Sequence, residues 1–270
     1  MHFTIITPNL NGGRFLRDCL SSVASQEGVE LEHWVMDGGS TDDSEEIARS
    51  FPHVRWNQEP DKGMSDAINK GFDRSQGEWV MWLNSDDWLK PGALAKLKAM
   101  AERHPEADVI YGDMEFVNER GEFIRRLRLP SWSPFVSIHH CCYVPSTSAI
   151  LRRATVIVPG FRLREDFHCV MDGELYARLH QAGKRFVHLP ESLAAFRWHG
   201  DNASQRDLKK DKDMERIVRA ERQHVESRSI RRAYGITLFE DPYLNGLVDG
   251  ILWIVARGWK GVLKMKNFGF

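Results

Sequence analysis

Residues 79–87 read Trp79-Val80-Met81-Trp82-Leu83-Asn84-Ser85-Asp86-Asp87. Five successive apolar residues predict a strand buried on both faces, as in a parallel sheet covered by helices. The run then stops in a turn carrying two carboxylates. Toward the N-terminus the same order recurs three times. Phe3 to Thr7 is a strand ending in Pro8-Asn9-Leu10-Asn11-Gly12-Gly13, and Leu31 to Met36 is a strand ending in Asp37-Gly38-Gly39-Ser40-Thr41-Asp42. Val54 to Asn57 leads to Glu59-Pro60-Asp61-Lys62-Gly63. Helices fill the gaps: Phe15, Leu16, Cys19, Leu20 and Val23 share one helical face, a short helix precedes Val54, and Asp66 to Arg74 forms another. Strands alternating with helices imply βαβ units and a mostly parallel central sheet.

Beyond residue 87, Pro91 stands where a first-turn proline is welcome, with Leu94, Leu97 and Ala101 on the apolar side of the helix it opens. The rhythm changes near residue 108. Val109 to Asp113 reads as a strand, Glu115 to Leu127 as a hairpin turning at Asn118-Glu119-Arg120-Gly121, and Ser146 to Leu151 as another strand. A helix from Asp172 to Ala182 is stopped by Gly183, and Arg185 to Leu189 and Ala194 to Trp198 read as two strands. From 205 onward the chain is charged and helical in character. Val248, Ile251, Leu252, Val255, Trp259 and Val262 form an apolar stripe ahead of Lys264 and Lys266. That stripe suits packing on the rest of the chain or on a partner subunit, or an interfacial helix lying on a membrane.

In open parallel sheets, ligands bind beyond the carboxyl ends of the strands. Here those ends carry Asn9 and Asn11, Asp37, Glu59 and Asp61, and Asp86 and Asp87. Asp and Asn are ordinary turn residues, so one alone would mean little. Carboxylates at successive strand ends repel one another unless a cation is present, and a divalent ion completed by phosphate oxygens resolves the repulsion.

These motifs resemble family 2 glycosyltransferases with the GT-A fold, a Rossmann-like α/β fold binding nucleotide diphosphate sugars. The resemblance rests on Thr7 to Asn11, Asp37 to Asp42, Asp61-Lys62-Gly63 with Asp66 to Gly71, and Leu83 to Asp87, in order and in register. It implies that Thr7, Pro8, Asn9 and Asn11 line the nucleotide pocket and that Asp37 bonds the base or ribose. By the same resemblance Asp61, Gly63, Asp66, Asn69 and Ser85 face the diphosphate and donor sugar. Asp86 falls at the last position of the family's Asp-x-Asp motif and is expected to ligate Mg²⁺ or Mn²⁺, with Asp87 and His199 as further candidates. The first position of that motif is Asn84 here. Asp172, leading Asp172-Gly173-Glu174-Leu175-Tyr176-Ala177-Arg178-Leu179, resembles the family's catalytic base, with Asp166 as its rival.

The implied activity is an inverting, metal-dependent transfer of a sugar, most commonly from a UDP-sugar, to an acceptor hydroxyl on a glycan or lipid-linked carrier. It would belong to polysaccharide or lipid-linked glycan assembly. The Gln-x-x-Arg-Trp motif of processive synthases is absent. Residues 1–204 are expected to form the catalytic domain, divided into a nucleotide-binding half, 1–107, and an acceptor-side half, 108–204. Residues 205–270 are expected to form a helical extension. Trp132, His139, His140, Ser146 and Thr147 are expected to border the acceptor.

Composition narrows the classes. A net charge of -1 gives no reason to expect nucleic-acid binding. Cys19, Cys141, Cys142 and Cys169 lack paired spacing, which fits a reducing cytosol. The adjacent His139-His140-Cys141-Cys142 run lacks the spacing of zinc ligands. No signal peptide and no run of the ~18 apolar residues a membrane span needs are present, so a cytoplasmic protein, peripheral on a membrane at most, is expected. A dehydrogenase would carry Gly-x-Gly-x-x-Gly after its first strand. Two alternatives remain: a sugar nucleotidyltransferase, faintly echoed in Gly12-Gly13-Arg14, and an inactive homologue acting as a binding protein.

Overall fold

The computed structural model describes residues 1–133, 143–167, 171–200 and 202. The expected extension from 205 onward, the His139–Cys142 run and Cys169 lie outside the described residues.

The strands are β1 (His2–Asn9), β2 (Glu30–Asp37), β3 (Val54–Gln58), β4 (Trp79–Trp82), β5 (Trp88–Leu89), β6 (Val109–Asn118), β7 (Phe123–Leu127), β8 (Ala149–Arg152) and β9 (Phe186–Trp198). They form one sheet in the order β3-β2-β1-β4-β8-β6-β9-β5, with β7 on β6. The sheet is mixed. β3, β2, β1 and β4 run parallel, as the first hundred residues predict. β8 then enters antiparallel to both β4 and β6, whereas β9 runs parallel to β6.

Helices α1 (Gly13–Ala24), α2 (Ser44–Arg49), α3 (Met64–Arg74), α4 (Ala93–Arg103) and α5 (Met171–Gln181) cover the sheet. Alternation along the strands divides the core between its faces. Phe3, Ile5, Trp79, Met81 and Ile110 pack with Cys19 and Val23 of α1 and Leu94 and Leu97 of α4. Ile6, Val80, Trp82, Val109 and Tyr111 pack with Ile68 and Phe72 of α3 and Leu175 and Leu179 of α5. β4 is buried throughout, with Trp79 and Trp82 sent to opposite layers. Each fully buried large side chain of this kind contributes on the order of 1.5–3 kcal/mol.

Several expectations are corrected. Pro91 does not open α4; Gly92 is the N-cap, with φ +71°, and the helix starts at Ala93. Asp113 does not end a strand, because β6 continues to Asn118, pairing with β8 through its first residues and with β7 through its last. Ser146–Ser148 is a turn of 3-10 helix, and the strand begins only at Ala149. The two strands expected at Arg185–Leu189 and Ala194–Trp198 are one strand, β9, which starts at Phe186. Its pairing passes from Leu189 opposite Gly112 to Ser192 opposite Asp113, so Pro190, which has no N–H for a ladder, falls in a register shift. The α5 helix ends as expected before Gly183, which adopts φ +72°.

Candidate active site at the carboxyl ends of the strands

The loops after β1 and β2 are laced together by the residues expected there. The Asn9 amide donates to Asp37 Oδ1 (2.8 Å) and Ser40 Oγ (3.1 Å), and Asn11 Oδ1 accepts the Thr41 N–H (2.9 Å). Asn11 takes φ +52°, a conformation Asn tolerates better than most residues. Asp37 is 1% exposed, and its Oδ2 accepts the Gly39 and Ser40 N–H groups at 3.0 and 2.7 Å. It therefore fixes the shape of its own loop. Asp42 reaches across to cap α1 by accepting the Gly13 N–H (2.9 Å). Burial pushes the Asp42 carboxyl up, but hydrogen bonds from Ser44 and Gly13 outweigh it and hold its pKa below the ordinary value.

Close approaches continue the row along the sheet edge. A Cβ on Gly12 would lie 2.3 Å from Asn9 Oδ1 and 2.7 Å from Ser85 Oγ, so glycine is what lets Asn9 and Ser85 flank that position. A Cβ on Gly38 would lie 2.4 Å from Asp61 Oδ2, and Asp61 Oδ1 accepts the Gly63 N–H (2.8 Å). Asn9 Oδ1 and Asn84 Oδ1 are buried acceptors with no hydrogen-bond donor among the described residues. Such orphans at strand ends are the kind of group a polar ligand satisfies.

Asp86 closes the row. His199 Nε2 lies 3.0 Å from Asp86 Oδ2, and the Asn202 amide donates to the same oxygen (3.2 Å). Oδ1 accepts no hydrogen bond among the described residues, and the carboxylate is 23% exposed. Asp87 occupies a different place. It is fully buried and accepts the Arg197 N–H (3.0 Å), so it anchors β9 beneath the turn. Burial first, then the Asp86 charge, push the Asp87 carboxyl well above the ordinary range.

The donor set fits a divalent cation in part. Asp86 Oδ1 takes no hydrogen bond among the described residues, and the His199 imidazole stands next to the same carboxylate, 3.0 Å from Oδ2. Among the described residues no three His, Cys, Asp or Glu side chains gather at one point. The remaining ligands would have to come from the donor's phosphates and water, as is usual for Mg²⁺.

Other expected residues are placed differently. The Thr7 hydroxyl bonds His33 Nε2 (2.9 Å) within the core, and the neighbouring Pro8 is likewise buried in β1. The Asn69 side chain exchanges two hydrogen bonds with the Leu163 backbone (2.8 and 2.9 Å). Asp66 accepts the Lys62 N–H (3.0 Å) and pairs with Lys70 (3.2 Å). Asp66 and Asn69 line a cleft of about 560 Å³ between α3 and residues 162–166, with no lining residue from β4 or β9. Asp172 sits in the first turn of α5, where its Oδ1 accepts the Gly173 N–H (2.8 Å). Its neighbour Met171 touches Ser65 Oγ through Sδ (2.8 Å), which joins the start of α5 to the start of α3. The rival Asp166 is 63% exposed and paired with Arg164 (2.5 Å).

Arg197, Asn202 and Asp18 were not singled out in the sequence. Arg197 donates to the Asp86 carbonyl (3.1 Å) and to Asp18 (2.5 Å), and Asn202 holds the His199 N–H (2.7 Å) and the Arg197 carbonyl (2.8 Å). The only local signal was the polar cluster after Phe196, in which an arginine, a histidine and an asparagine follow an apolar strand.

A sequence profile of glycosyl transferase family 2 matches residues 4–164, more than half of the chain. A PGL/p-HBAD biosynthesis glycosyltransferase of Mycobacterium tuberculosis is 36% identical over 118 residues, 42% of this chain and 46% of that protein. The O-antigen biosynthesis protein RfbC of Myxococcus xanthus is 28% identical over 82% of this chain and 18% of its own length. The chain thus spans less than half the length of these curated relatives. Staphylococcus aureus TarS (residues 1–349), solved with UDP-GlcNAc, superposes with a TM-score of 0.65 at 19% identity, covering 88% of this chain and 77% of that one. The Pyrobaculum calidifontis mannosyltransferase PcManGT, solved with GDP-Man and Mn²⁺, gives 0.57 at 16% identity over 97% and 83%. Both share the GT-A fold with this protein. Read with the strand-end motifs, the profile match establishes that the chain belongs to glycosyl transferase family 2.

Proposed function

We propose that the protein is an inverting, metal-dependent glycosyltransferase that moves a sugar from a nucleotide diphosphate donor to an acceptor hydroxyl during glycan assembly. The observation that carries this is Asp86: one oxygen oriented by His199 and Asn202, the other without a hydrogen bond among the described residues, at the carboxyl end of β4. The row from Asp61 through Gly38, Asn9, Gly12 and Ser85 leads to it. UDP is the first donor nucleotide to test, since the TarS fold relative was solved with UDP-GlcNAc, with GDP second on the PcManGT precedent. A polysaccharide or lipid-linked acceptor is in keeping with the names of the sequence relatives.

Asp86 and His199 would hold Mg²⁺ or Mn²⁺. When bound, such an ion supplies Lewis-acid stabilisation of the charge that builds on the departing diphosphate. The protein's own groups do the rest. Asn9, Gly12 and Ser85 border the donor, and Asp37 fixes the loop facing it. Asp87 stays a support for β9. Asp172 accepts the proton of the attacking hydroxyl, and general-base help of this kind contributes ~10²–10⁴-fold. One base and one displacement invert the anomeric carbon. Asp172 is preferred to Asp166 because Asp166 is exposed and held by Arg164. Incubating the protein with candidate UDP- and GDP-sugars and acceptors, and determining the product's anomeric configuration by NMR, tests this reading. A product that retains the donor's configuration would refute the single displacement.

A further inference from the structure

The Arg197 side chain is 5% exposed, and each of its three guanidinium nitrogens donates a hydrogen bond. Nε donates to the Asp86 carbonyl (3.1 Å), Nη1 to the Glu119 carbonyl (2.9 Å) and Nη2 to Asp18 Oδ2 (2.5 Å). The guanidinium carbon also stands 4.4 Å from the Phe15 ring centroid and 4.7 Å from that of Trp88. The three acceptors belong to three elements: the turn after β4, the β6–β7 turn, and α1. Two of these are turns, which have no ladder of their own to fix them. Arg14 of α1 also pairs with Glu119, so the hairpin tip is tied to α1 twice. Phe15 also packs against the His199 ring, the two tilted by 47° with centroids 4.6 Å apart. One cation therefore sets the backbone of Asp86, while the aromatic ring beneath it sets His199.

We propose that Arg197 is a positioning residue for the cation site: its planar fork fixes the Asp86 backbone against α1 and the hairpin, so that the carboxylate meets the ion in its working geometry. This rests on the reading of Asp86 as the metal carboxylate. A lysine cannot replace the fork, because an ammonium is a point charge that reaches one acceptor well and not three in a plane. Partners outside the ligand shell are typically worth ~10–100-fold in metal affinity.

The test is calorimetric binding of UDP, with GDP and dTDP alongside, to the full chain over a series of Mn²⁺ concentrations, paired with thermal melting. Arg197→Met is expected to raise the Mn²⁺ concentration for half-maximal nucleotide binding by ~10–100-fold, and Arg197→Lys to recover part of the loss. Arg153→Met is the control for simple loss of a half-buried arginine: Arg153 bonds the Ser75 carbonyl (2.7 Å) at the carboxyl end of α3. It should lower the melting temperature and leave the Mn²⁺ midpoint in place. If Arg197→Met does not fold, Asp18→Asn replaces it. Asp18 is 61% exposed, and its substitution should raise the midpoint severalfold without unfolding the protein. An unchanged midpoint in the folded Arg197 or Asp18 variant overturns the proposal while leaving the function intact. A wild type whose nucleotide binding ignores Mn²⁺ overturns the Asp86 reading and this inference together.

Discussion

His199 Nε2 stands 3.0 Å from Asp86 Oδ2, joining residues 113 positions apart in the chain. The contact exists because β4 and β9 both deliver their carboxyl ends to one edge of the sheet, and because Asn202 folds the chain back after β9. His199→Ala is therefore expected to raise the Mn²⁺ requirement for nucleotide binding by ~10–100-fold, the range seen when a ligand or its immediate support is lost. A Mn²⁺ titration followed by nucleotide calorimetry checks this. An unchanged requirement would assign His199 to packing against Phe15 alone.

Asp172→Asn is expected to keep nucleotide binding and to lose transfer by ~10²–10⁴-fold, as removal of a general base requires. The neutral amide keeps the contact with the Gly173 N–H at the start of α5, so the fold should survive. Product formation over a long time course, with nucleotide binding as the control, separates the two effects. Full activity in the variant would transfer the role to another carboxylate, with Asp166 the first to substitute.

Gly12→Ala should disturb the donor edge. The new methyl would press on Asn9 Oδ1 and Ser85 Oγ at 2.3 and 2.7 Å. Overpacking of this kind costs about 1–3 kcal/mol, and here it falls on residues expected to border the nucleotide. A lower melting temperature together with at least tenfold weaker nucleotide binding is the expected pair of results. Unchanged binding would mean that Asn9 and Ser85 face something other than the donor.

The parallel half of the fold was readable because strands buried on both faces are continuous apolar runs and their ends are polar turns. Asn9, Asp37 and Asp86 were visible as residues in turns for the same reason. Their partners were not. Nothing local in Arg197 or Asn202 announces a bond to Asp86, since the spacing exceeds a hundred residues and depends on where β9 docks. Asn69 shows the same limit from the other side. Its place within α3 was readable, whereas its two bonds to Leu163 depend on a segment 94 residues away. The sequence reads two strands around Pro190, and only the register shift opposite Gly112 and Asp113 explains how one strand, β9, continues past it.

Acid should destabilise the protein through His33. Burial, helped by the neighbouring His53, lowers its pKa from 6.5 to about 3, and its Nε2 bonds the Thr7 hydroxyl. The unfolded chain takes up this proton near 6.5 and the folded one only near 3. The stability held by neutral His33 is thus fully present above 6.5 and is lost as the pH falls through that window. His33→Leu removes the titration, so the stability advantage of wild type over this variant should shrink between pH 7 and pH 5 in denaturant melts. A difference that stays constant with pH would refute the assignment.

The most direct test of the central claim is calorimetric binding of UDP, GDP and dTDP to wild type and Asp86→Ala, each with Mn²⁺ and with EDTA. The predicted result is that one nucleotide binds wild type with Mn²⁺, loses most of its affinity in EDTA, and binds Asp86→Ala weakly under both conditions. Folded wild-type protein that binds none of the three with Mn²⁺ present, or binds equally well in EDTA, would contradict a metal-dependent donor site at Asp86.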